Sequence, residues 1–254
     1  MDSASGAFKM AMSDPALPPS SPLPSLAVQV QDLTYSWPGD SRPCLQIDDF
    51  RIATGERVFL FGPSGSGKTT LLNLLAGLLQ PSRGSIHIDG TPLDTLGANA
   101  RDRFRASHMG IIFQQFNLVP YLSVFDNLRL ARHFSGHGAG HDRTALRADA
   151  ALLLQRLGLA PDLLQRRPAT LSVGQQQRIA VIRALINHPA LIIADEPSSA
   201  LDTDARDAFI DLLVRLSSER GSTVLFISHD RSLRHHFDRA VDLRDINRSG
   251  AEAS

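Results

Sequence analysis

The chain has 254 residues, of which 43% are hydrophobic, and its 26 Lys and Arg residues balance 26 Asp and Glu residues. This length and composition allow one large domain with a substantial core. Because no long run of one charge stands out, electrostatics give no reason to expect nucleic acid as a partner. Cys44 is the only cysteine, which excludes a disulfide within the chain and predicts a buried free thiol.

Both ends of the chain are predicted to lie outside the folded domain, which is expected to span residues 27–246. Residues 1–26 are rich in Ala, Ser and Pro and lack the apolar centre of a secretory signal, so we expect a disordered leader. Residues 247–254 are expected to form a flexible tail. No apolar run approaches the roughly 18 residues that a membrane helix requires, so any link to a membrane is expected to go through another protein.

The first part of the chain combines strand patterns with one helix. Strands are predicted at residues 28–33, 45–52, 57–61 and 85–89. A helix is predicted between the last two of these strands, from about residue 67 to 79. Its apolar face is expected to consist of Leu71, Leu72, Leu75 and Leu78.

The sequence pattern in the middle of the chain differs from the patterns on either side of it. Residues 115–170 are predicted to be mostly helical, with a loop at the Gly- and His-rich residues 135–141, and to form a helical subdomain inserted in an α/β domain. A strand at 191–194, a helix at 202–220 and a strand at 223–227 are then predicted. Strands that alternate with helices imply a largely parallel sheet.

A phosphate-binding pattern, G-x4-G-K-[ST], lies between the third strand and the helix that follows it. It consists of Gly62, Pro63, Ser64, Gly65, Ser66, Gly67, Lys68 and Thr69. The glycines let backbone N–H groups converge on phosphates, and the helix N-terminus adds positive potential. Lys68 is expected to reach the β and γ phosphates, and Thr69 to supply a hydroxyl to Mg²⁺. The loop therefore predicts nucleotide binding, whereas a flexible surface turn is the alternative.

Two adjacent carboxylates end the apolar strand at 191–194. Beside a phosphate loop, Asp195 would hold the Mg²⁺ shell and Glu196 would polarise the attacking water. The alternative is a strand end capped in solvent.

A third element, Leu171-Ser172-Val173-Gly174-Gln175, precedes a helix with an apolar face. Ser172 and Gln175 fit a capping box, S-x-x-Q, which is ordinary local chemistry. The same hydroxyl, a glycine N–H and the helix N-terminus also make an anion site. The residues by themselves leave both interpretations open.

The sequence resembles the ATP-binding cassette of ABC transporters over about residues 28–243. The family's motifs occur in order: the Walker A loop at 62–70, Gln114 after an apolar strand, the L-S-G-G-Q motif at 171–175, the Walker B strand ending at Asp195 and Glu196, the D-loop at 199–202 and the switch histidine His229. The resemblance implies an α/β P-loop NTPase fold with a mainly parallel core sheet, an antiparallel β subdomain and an inserted helical subdomain.

The resemblance also implies a role for each matching residue. ATP would be bound by Tyr35, which stacks on adenine, by the loop through Thr70, and by Ser172, Gly174, Gln175 and Asp202. Mg²⁺ would be held by Thr69, Gln114 and Asp195. Catalysis would rest on Glu196, on His229 at the γ-phosphate and on Gln114, which senses Mg²⁺ and the permease. Trp37 is a rival for the adenine-stacking role, and Gln115 is a rival for Gln114.

Two features depart from these assignments. Val173 stands where the commonest family motif has glycine, but the phosphate-contacting neighbours remain, so we expect activity to survive. His133, His137 and His141 have four-residue spacing that invites a metal hypothesis. The glycines between them argue against the helix that would align the three rings, so no metal is expected there.

The stretch from residue 101 to 131 resembles the macrolide-export, lipoprotein-release and cell-division group of cassettes. The resemblance implies a head-to-tail homodimer at the cytoplasmic face of the inner membrane, an integral membrane permease with a large periplasmic domain, and a possible periplasmic adaptor reached through that permease. ATP hydrolysis would drive export or mechanotransmission. The alternatives are a regulatory cassette that controls cell-wall hydrolases, an ABC importer ATPase, and a soluble ABC ATPase outside transport.

Overall fold

A computed structural model of the chain describes residues 25–137, 143–198 and 202–250. The strands within these residues are β1 (Leu26–Tyr35), β2 (Leu45–Ala53), β3 (Arg57–Phe61), β4 (Arg83–Ile88), β5 (Thr91–Pro92), β6 (Met109–Ile112), β7 (Leu191–Asp195), β8 (Thr223–Ile227) and β9 (Arg239–Asp242). The α-helices are α1 (Lys68–Leu75), α2 (Ala98–His108), α3 (Val124–Arg132), α4 (Arg143–Arg156), α5 (Val173–Leu185), α6 (Thr203–Glu219) and α7 (Leu243–Ile246). In this part of the chain, no helix combines the length and apolar character needed to cross a membrane.

The central sheet has the strand order β6-β7-β8-β3-β9, and every pairing in it is parallel. The interior positions of its middle strands are apolar because both faces of the sheet are covered. Phe59 packs into a core with α3, α4, α5 and α6, whereas its neighbours Val58 and Leu60 pack into a second core with α1 and the other sheet. This two-residue alternation explains why β3 reads as one continuous apolar run. The predicted parallel core sheet is present.

A second sheet, with order β2-β1-β4-β5, is antiparallel throughout and packs on the α1 side of the central sheet. Gly84 in β4 allows a close approach, since a Cβ at this position would lie 2.4 Å from the carbonyl oxygen of Asp32. The predicted antiparallel β region is therefore present as well.

Two local predictions in the helical parts were wrong. α1 ends at Leu75 rather than near residue 79, because Gly77 adopts φ +67 and ends the helix in a left-handed turn. Leu78 then lies outside the apolar face and is 48% exposed. Ser135 lies in a π-helical segment, His133–His137, rather than in a loop. Residues 138–141, the rest of that predicted loop, lie outside the described residues.

The residues after α7 contact β2. Asn247 Oδ1 accepts a hydrogen bond from the Gln46 N–H at 2.9 Å, and Ser249 Oγ donates one to the Cys44 carbonyl at 2.9 Å. Arg248 forms an ion pair with Asp48. Residues 247–249 of the predicted tail therefore contribute to the packing of β2, while residues 1–24 of the predicted leader lie outside the described residues.

Candidate functional site

The candidate site lies at the carboxyl edge of the central sheet, where four neighbouring parallel strands end. β3 runs into the phosphate loop, β6 leads to Gln114, β7 ends at Asp195, and β8 is followed by His229. Because parallel strands present their carboxyl ends at one edge, segments that are far apart in sequence meet there.

The phosphate loop owes its shape to two glycines with positive φ. Gly65 has φ +78, and Gly67, the N-cap of α1, has φ +98. Such angles are readily accessible only to glycine. A Cβ at Gly67 would also lie 2.7 Å from Leu45 Cδ2, so this position excludes larger residues on two grounds. The Lys68 ammonium donates to the carbonyl oxygens of Gly62 at 2.7 Å and Pro63 at 3.0 Å, which holds its charge against the loop.

A cavity of about 430 Å³ opens over this loop. It is lined by Trp37, Cys44, Ser64, Gly65, Gly67, Lys68, Thr69, Thr70, Gln114, Asp195 and Glu196. The lining thus combines a cation and helix N-terminal amides with two carboxylates, as a magnesium–phosphate group requires. Gly62, Pro63 and Ser66 shape the loop without lining the cavity, and the buried Ser66 Oγ has no hydrogen-bond partner among the described residues.

Three oxygen-bearing side chains of this lining suit Mg²⁺, namely those of Thr69, Gln114 and Asp195. Burial raises the pKa of the Asp195 carboxyl above its ordinary value, the adjacent Glu196 raises it further, and Lys68 opposes the shift. A half-buried pair of like charges is stabilised by a cation placed between them and the phosphates. The residues present therefore fit a divalent cation.

Glu196 and His229 are joined by a hydrogen bond. His229 Nδ1 lies 3.0 Å from Glu196 Oε1, and an ionised carboxylate can only accept, so the imidazole donates. The Glu196 backbone has φ +44, an uncommon value for a residue with a side chain, and its N–H donates to the Ile227 carbonyl at 2.9 Å. The two contacts hold the carboxylate at the end of β7, beside the cavity.

The N-terminus of α5 lies away from this cavity. Ser172 Oγ accepts from the Gln175 N–H at 3.3 Å, and Gln175 Oε1 accepts from the Ser172 N–H at 3.0 Å, so the capping box forms. Ser172, Gly174 and Gln175 do not line the cavity. Within one chain, the phosphate loop and this second helix N-terminus are therefore separate.

The burial of Tyr35 argues against its assignment to adenine. Tyr35 is the last residue of β1, and its side chain is only 7% exposed. Trp37 is 41% exposed, lines the cavity and contacts Tyr35 edge to face with the ring centroids 5.3 Å apart. Trp37 is thus the aromatic side chain available to a nucleotide base, and the ring of Tyr35 packs against that of Trp37.

The remaining predicted residues divide between the cavity and its surroundings. Gln114 lines the cavity and Gln115 does not, which favours the first of the two. Asp202 caps α6, since its Oδ1 accepts from the Ala205 N–H at 2.9 Å, and it does not line the cavity. Residues 199–201 of the predicted D-loop and His141 of the histidine trio lie outside the described residues.

The sequence reasoning missed Cys44 as a member of the site. Its thiol is half-buried and donates to Thr70 Oγ1 at 3.6 Å, on the wall of the cavity. No sequence motif marks this role, because the contact of Cys44 with Thr70 joins residues 26 positions apart. The prediction of a free thiol is confirmed, but that thiol is only partly buried.

Comparisons with known proteins agree with this geometry. The family described as "ABC transporter" matches residues 45–199. The "Macrolide export ATP-binding/permease protein MacB" of Rhodopirellula baltica is 39% identical over 203 residues, which cover 80% of this chain and 29% of that protein. The "Uncharacterized ABC transporter ATP-binding protein YbbA" of Escherichia coli K12 is 40% identical over 192 residues, which cover 76% of this chain and 82% of that protein.

A solved structure extends the comparison to the fold. The dimeric post-hydrolysis state of the cassette MJ0796, bound to ADP and Pi, has a TM-score of 0.77 and 34% identity. The match covers 86% of this chain and 94% of that one. The shared fold confirms the predicted architecture, and this chain spans most of MJ0796 but less than a third of MacB.

Proposed function

The chain belongs to the ABC transporter family as an ATP-hydrolysing cassette, and we propose that two copies of it bind ATP and Mg²⁺ at the cavity over the phosphate loop and drive a membrane permease. The observation that carries this proposal is the lining of the cavity, where Lys68 faces the same space as Asp195 and Glu196. A cation, helix N-terminal amides and adjacent carboxylates are the groups that phosphoryl transfer to water needs.

Each side chain around the cavity has a definite task in this proposal. The loop amides and Lys68 bind the β and γ phosphates, and Trp37 packs against the base. Thr69, Gln114 and Asp195 hold Mg²⁺, which when bound neutralises charge on the phosphate oxygens. Glu196 polarises the attacking water.

His229 orients the catalytic carboxylate. Its Nδ1–H holds Glu196 Oε1 at 3.0 Å, which leaves the other carboxylate oxygen to accept from water. The His229 side chain is 66% exposed, which leaves it accessible to the γ-phosphate of a bound nucleotide. Its proposed role is to hold both groups in one orientation.

The separation of the two helix N-termini supports a head-to-tail dimer. Ser172, Gly174 and Gln175 do not line the cavity of their own chain, and in the proposed dimer they contact the nucleotide of the second copy. MJ0796, the similar cassette, is dimeric in its solved structure. In this arrangement Asp202, at the start of α6, also lies toward the partner and contributes to the shared site.

A groove supports the proposed contact with a permease. It has a volume of about 560 Å³, and its lining includes Leu78, Arg103, Phe113, Phe134 and Arg183. Leu78 and Phe134 are 48% and 59% exposed, which is unusual for large apolar side chains. Phe113 directly precedes Gln114, so the groove adjoins the nucleotide cavity.

The charge in this groove indicates what kind of segment it receives. Burial lowers the pKa of the Arg183 guanidinium, which donates to the Asn117 carbonyl at 2.5 Å and forms no ion pair within residues 25–137, 143–198 and 202–250. A short permease helix with apolar and acidic side chains would complement it.

We place the complex at the cytoplasmic face of the inner membrane and assign it to the export or mechanotransmission group that MacB represents.

Replacing Phe134 with Asp is expected to abolish stimulation of ATP hydrolysis by the permease that this cassette is proposed to drive. The charge would disrupt the apolar contact without touching the nucleotide cavity, so basal hydrolysis should stay near the wild-type rate. ATPase assays with and without the reconstituted permease provide the measurement. Leu152→Asp is the matched control, because Leu152 is 55% exposed and lies outside the groove. Equal stimulation of both variants would contradict the assignment of this groove.

Replacing Val173 with Gly is expected to change ATP hydrolysis only modestly, because the neighbouring phosphate-contacting groups are untouched. Val173 is the first residue of α5 and is 52% exposed, and its side chain takes no part in the capping box. Steady-state hydrolysis rates of the two proteins check this expectation. A complete loss of activity would show that Val173 has a role that its contacts do not explain.

A further inference from the structure

A second cluster of metal-binding side chains lies outside the nucleotide cavity. Asp207 of α6 faces His235 and His236, which end the 3₁₀ segment Arg231–His236 after β8. One ligand atom from each of these side chains lies within 4.8 Å of the other two. We propose that Asp207, His235 and His236 bind a divalent transition metal ion, Zn²⁺ in particular, with Asp211 supporting His236 from behind.

His236 is prepared as a ligand by its surroundings. Its side chain is only 7% exposed, and its Nδ1 lies 2.8 Å from Asp211 Oδ1. An ionised carboxylate only accepts hydrogen bonds, so the proton is on Nδ1 and the lone pair is on Nε2. This Nε2 is buried and has no hydrogen-bond partner among the described residues. A carboxylate behind a histidine is the usual arrangement at zinc sites, because it sets the tautomer and makes the ligand more basic.

The Nδ1 atom of His235 is also hydrogen-bonded, in this case to a backbone carbonyl oxygen. Its Nδ1 lies 2.7 Å from the Ser232 carbonyl oxygen, which cannot donate, so the imidazole donates from Nδ1 and keeps a lone pair on Nε2. The ring lies against that of His236, with 3.9 Å between the centroids. The two neighbouring imidazoles therefore both carry their lone pair on Nε2.

Asp207 supplies the third ligand from the neighbouring helix. Its Oδ1 lies 3.9 Å from His236 Nε2, whereas ligands of a tetrahedral zinc ion lie about 3.3 Å apart, so a small side-chain adjustment suffices. Arg206 Nε donates to the same oxygen at 3.1 Å, but Arg206 is also paired with Asp230. The carboxylate therefore keeps lone pairs for a metal ion.

The ligand types select the metal. Two imidazoles and one carboxylate suit Zn²⁺ and similar transition metal ions, whereas Mg²⁺ prefers oxygen ligands such as those of the nucleotide cavity. A water molecule would complete the tetrahedron. The alternative explanation is that His236 is protonated and pairs with Asp207 and Asp211, which predicts no dependence on metal.

Zinc binding to the metal-free, full-length protein tests the proposal without reference to ATP. We expect one Zn²⁺ per chain by calorimetry, a rise in the thermal unfolding temperature on zinc addition, and the visible absorption of tetrahedral Co²⁺ when cobalt is used as the probe. His235→Ala and Asp207→Asn should weaken zinc binding by at least about tenfold, and Asp211→Asn by about tenfold, as is typical when a supporting carboxylate is lost. All three variants change side chains that are exposed or half-buried, and the buried His236 side chain is left unchanged.

Two control variants separate this cluster from other potential ligands. His133→Ala removes an exposed histidine elsewhere, and Cys44→Ser removes the only thiol, and neither should change zinc affinity. The proposal is overturned if Zn²⁺ at about 100 µM neither binds nor shifts the unfolding temperature. It is equally overturned if the cluster variants bind zinc as tightly as the wild-type protein. Because the readouts are metal binding and stability, they are independent of the proposed transport function.

Discussion

ATP turnover is expected to fall by about 10²-fold or more when Glu196 is replaced by Gln, while ATP binding is retained. The amide keeps the shape of the side chain and removes the charge that polarises the attacking water. The substituted side chain can still occupy the space beside His229, so the cavity should keep its form. The loss is therefore expected in the chemical step and not in the affinity for nucleotide.

Steady-state phosphate release and equilibrium binding of a fluorescent ATP analogue measure the two effects separately. Glu219→Gln is the matched control, because Glu219 is the last residue of α6, pairs with Arg156 and does not line the cavity. Hydrolysis by the Glu196 variant within a factor of a few of the wild-type rate would remove Glu196 from the catalytic role.

A dimer that combines Lys68→Ala in one chain with Ser172→Arg in the other is expected to trap ATP at one of its two sites. In the head-to-tail arrangement each site takes Lys68 from one chain and Ser172 from its partner. Both defects of the mixed dimer then fall in the same site, and the other site is intact. Either variant alone damages both sites, so the homodimers should trap almost no nucleotide.

Tandem purification through two different affinity tags isolates the mixed dimer. Trapped nucleotide is best scored in a Glu196→Gln background, because hydrolysis can require both sites. Since Ser172→Arg also removes the capping box of α5, which costs about 1 kcal/mol, thermal unfolding must show that this variant is folded. If the mixed dimer traps no more nucleotide than the two homodimers, while Glu196→Gln alone traps it readily, then the shared-site arrangement is wrong.

Local chemistry made several parts of this protein readable from the sequence. β3 and β8 were predicted with the ends that they have, and β7 to within one residue, because strands buried on both faces are continuous apolar runs between polar turns. The phosphate loop was equally readable, since Gly65 and Gly67 take backbone angles that glycine alone accepts readily. The capping box at Ser172 follows from residues three positions apart.

Predictions failed where several local signals competed. The end of α1 was placed near residue 79, but Gly77 ends the helix earlier in a left-handed turn. Tyr35 and Trp37 are two residues apart, so the alternation of a strand puts both on the same face and cannot rank them. Only the tertiary structure shows that Tyr35 is covered and that Trp37, which follows β1, reaches the cavity.

The sequence by itself determined the nucleotide chemistry of this chain, because its glycines, Lys68 and the paired carboxylates act through backbone angles and neighbours a few positions away. Only the tertiary structure decided which residues meet: Glu196 with His229, and Asp207 with His235 and His236. These partners are 28 to 33 positions apart along the chain, and the order of parallel strands and the crossing of α6 bring them together. Contacts of that kind depend on the packing of the whole sheet, for which no short pattern of residues carries a signal.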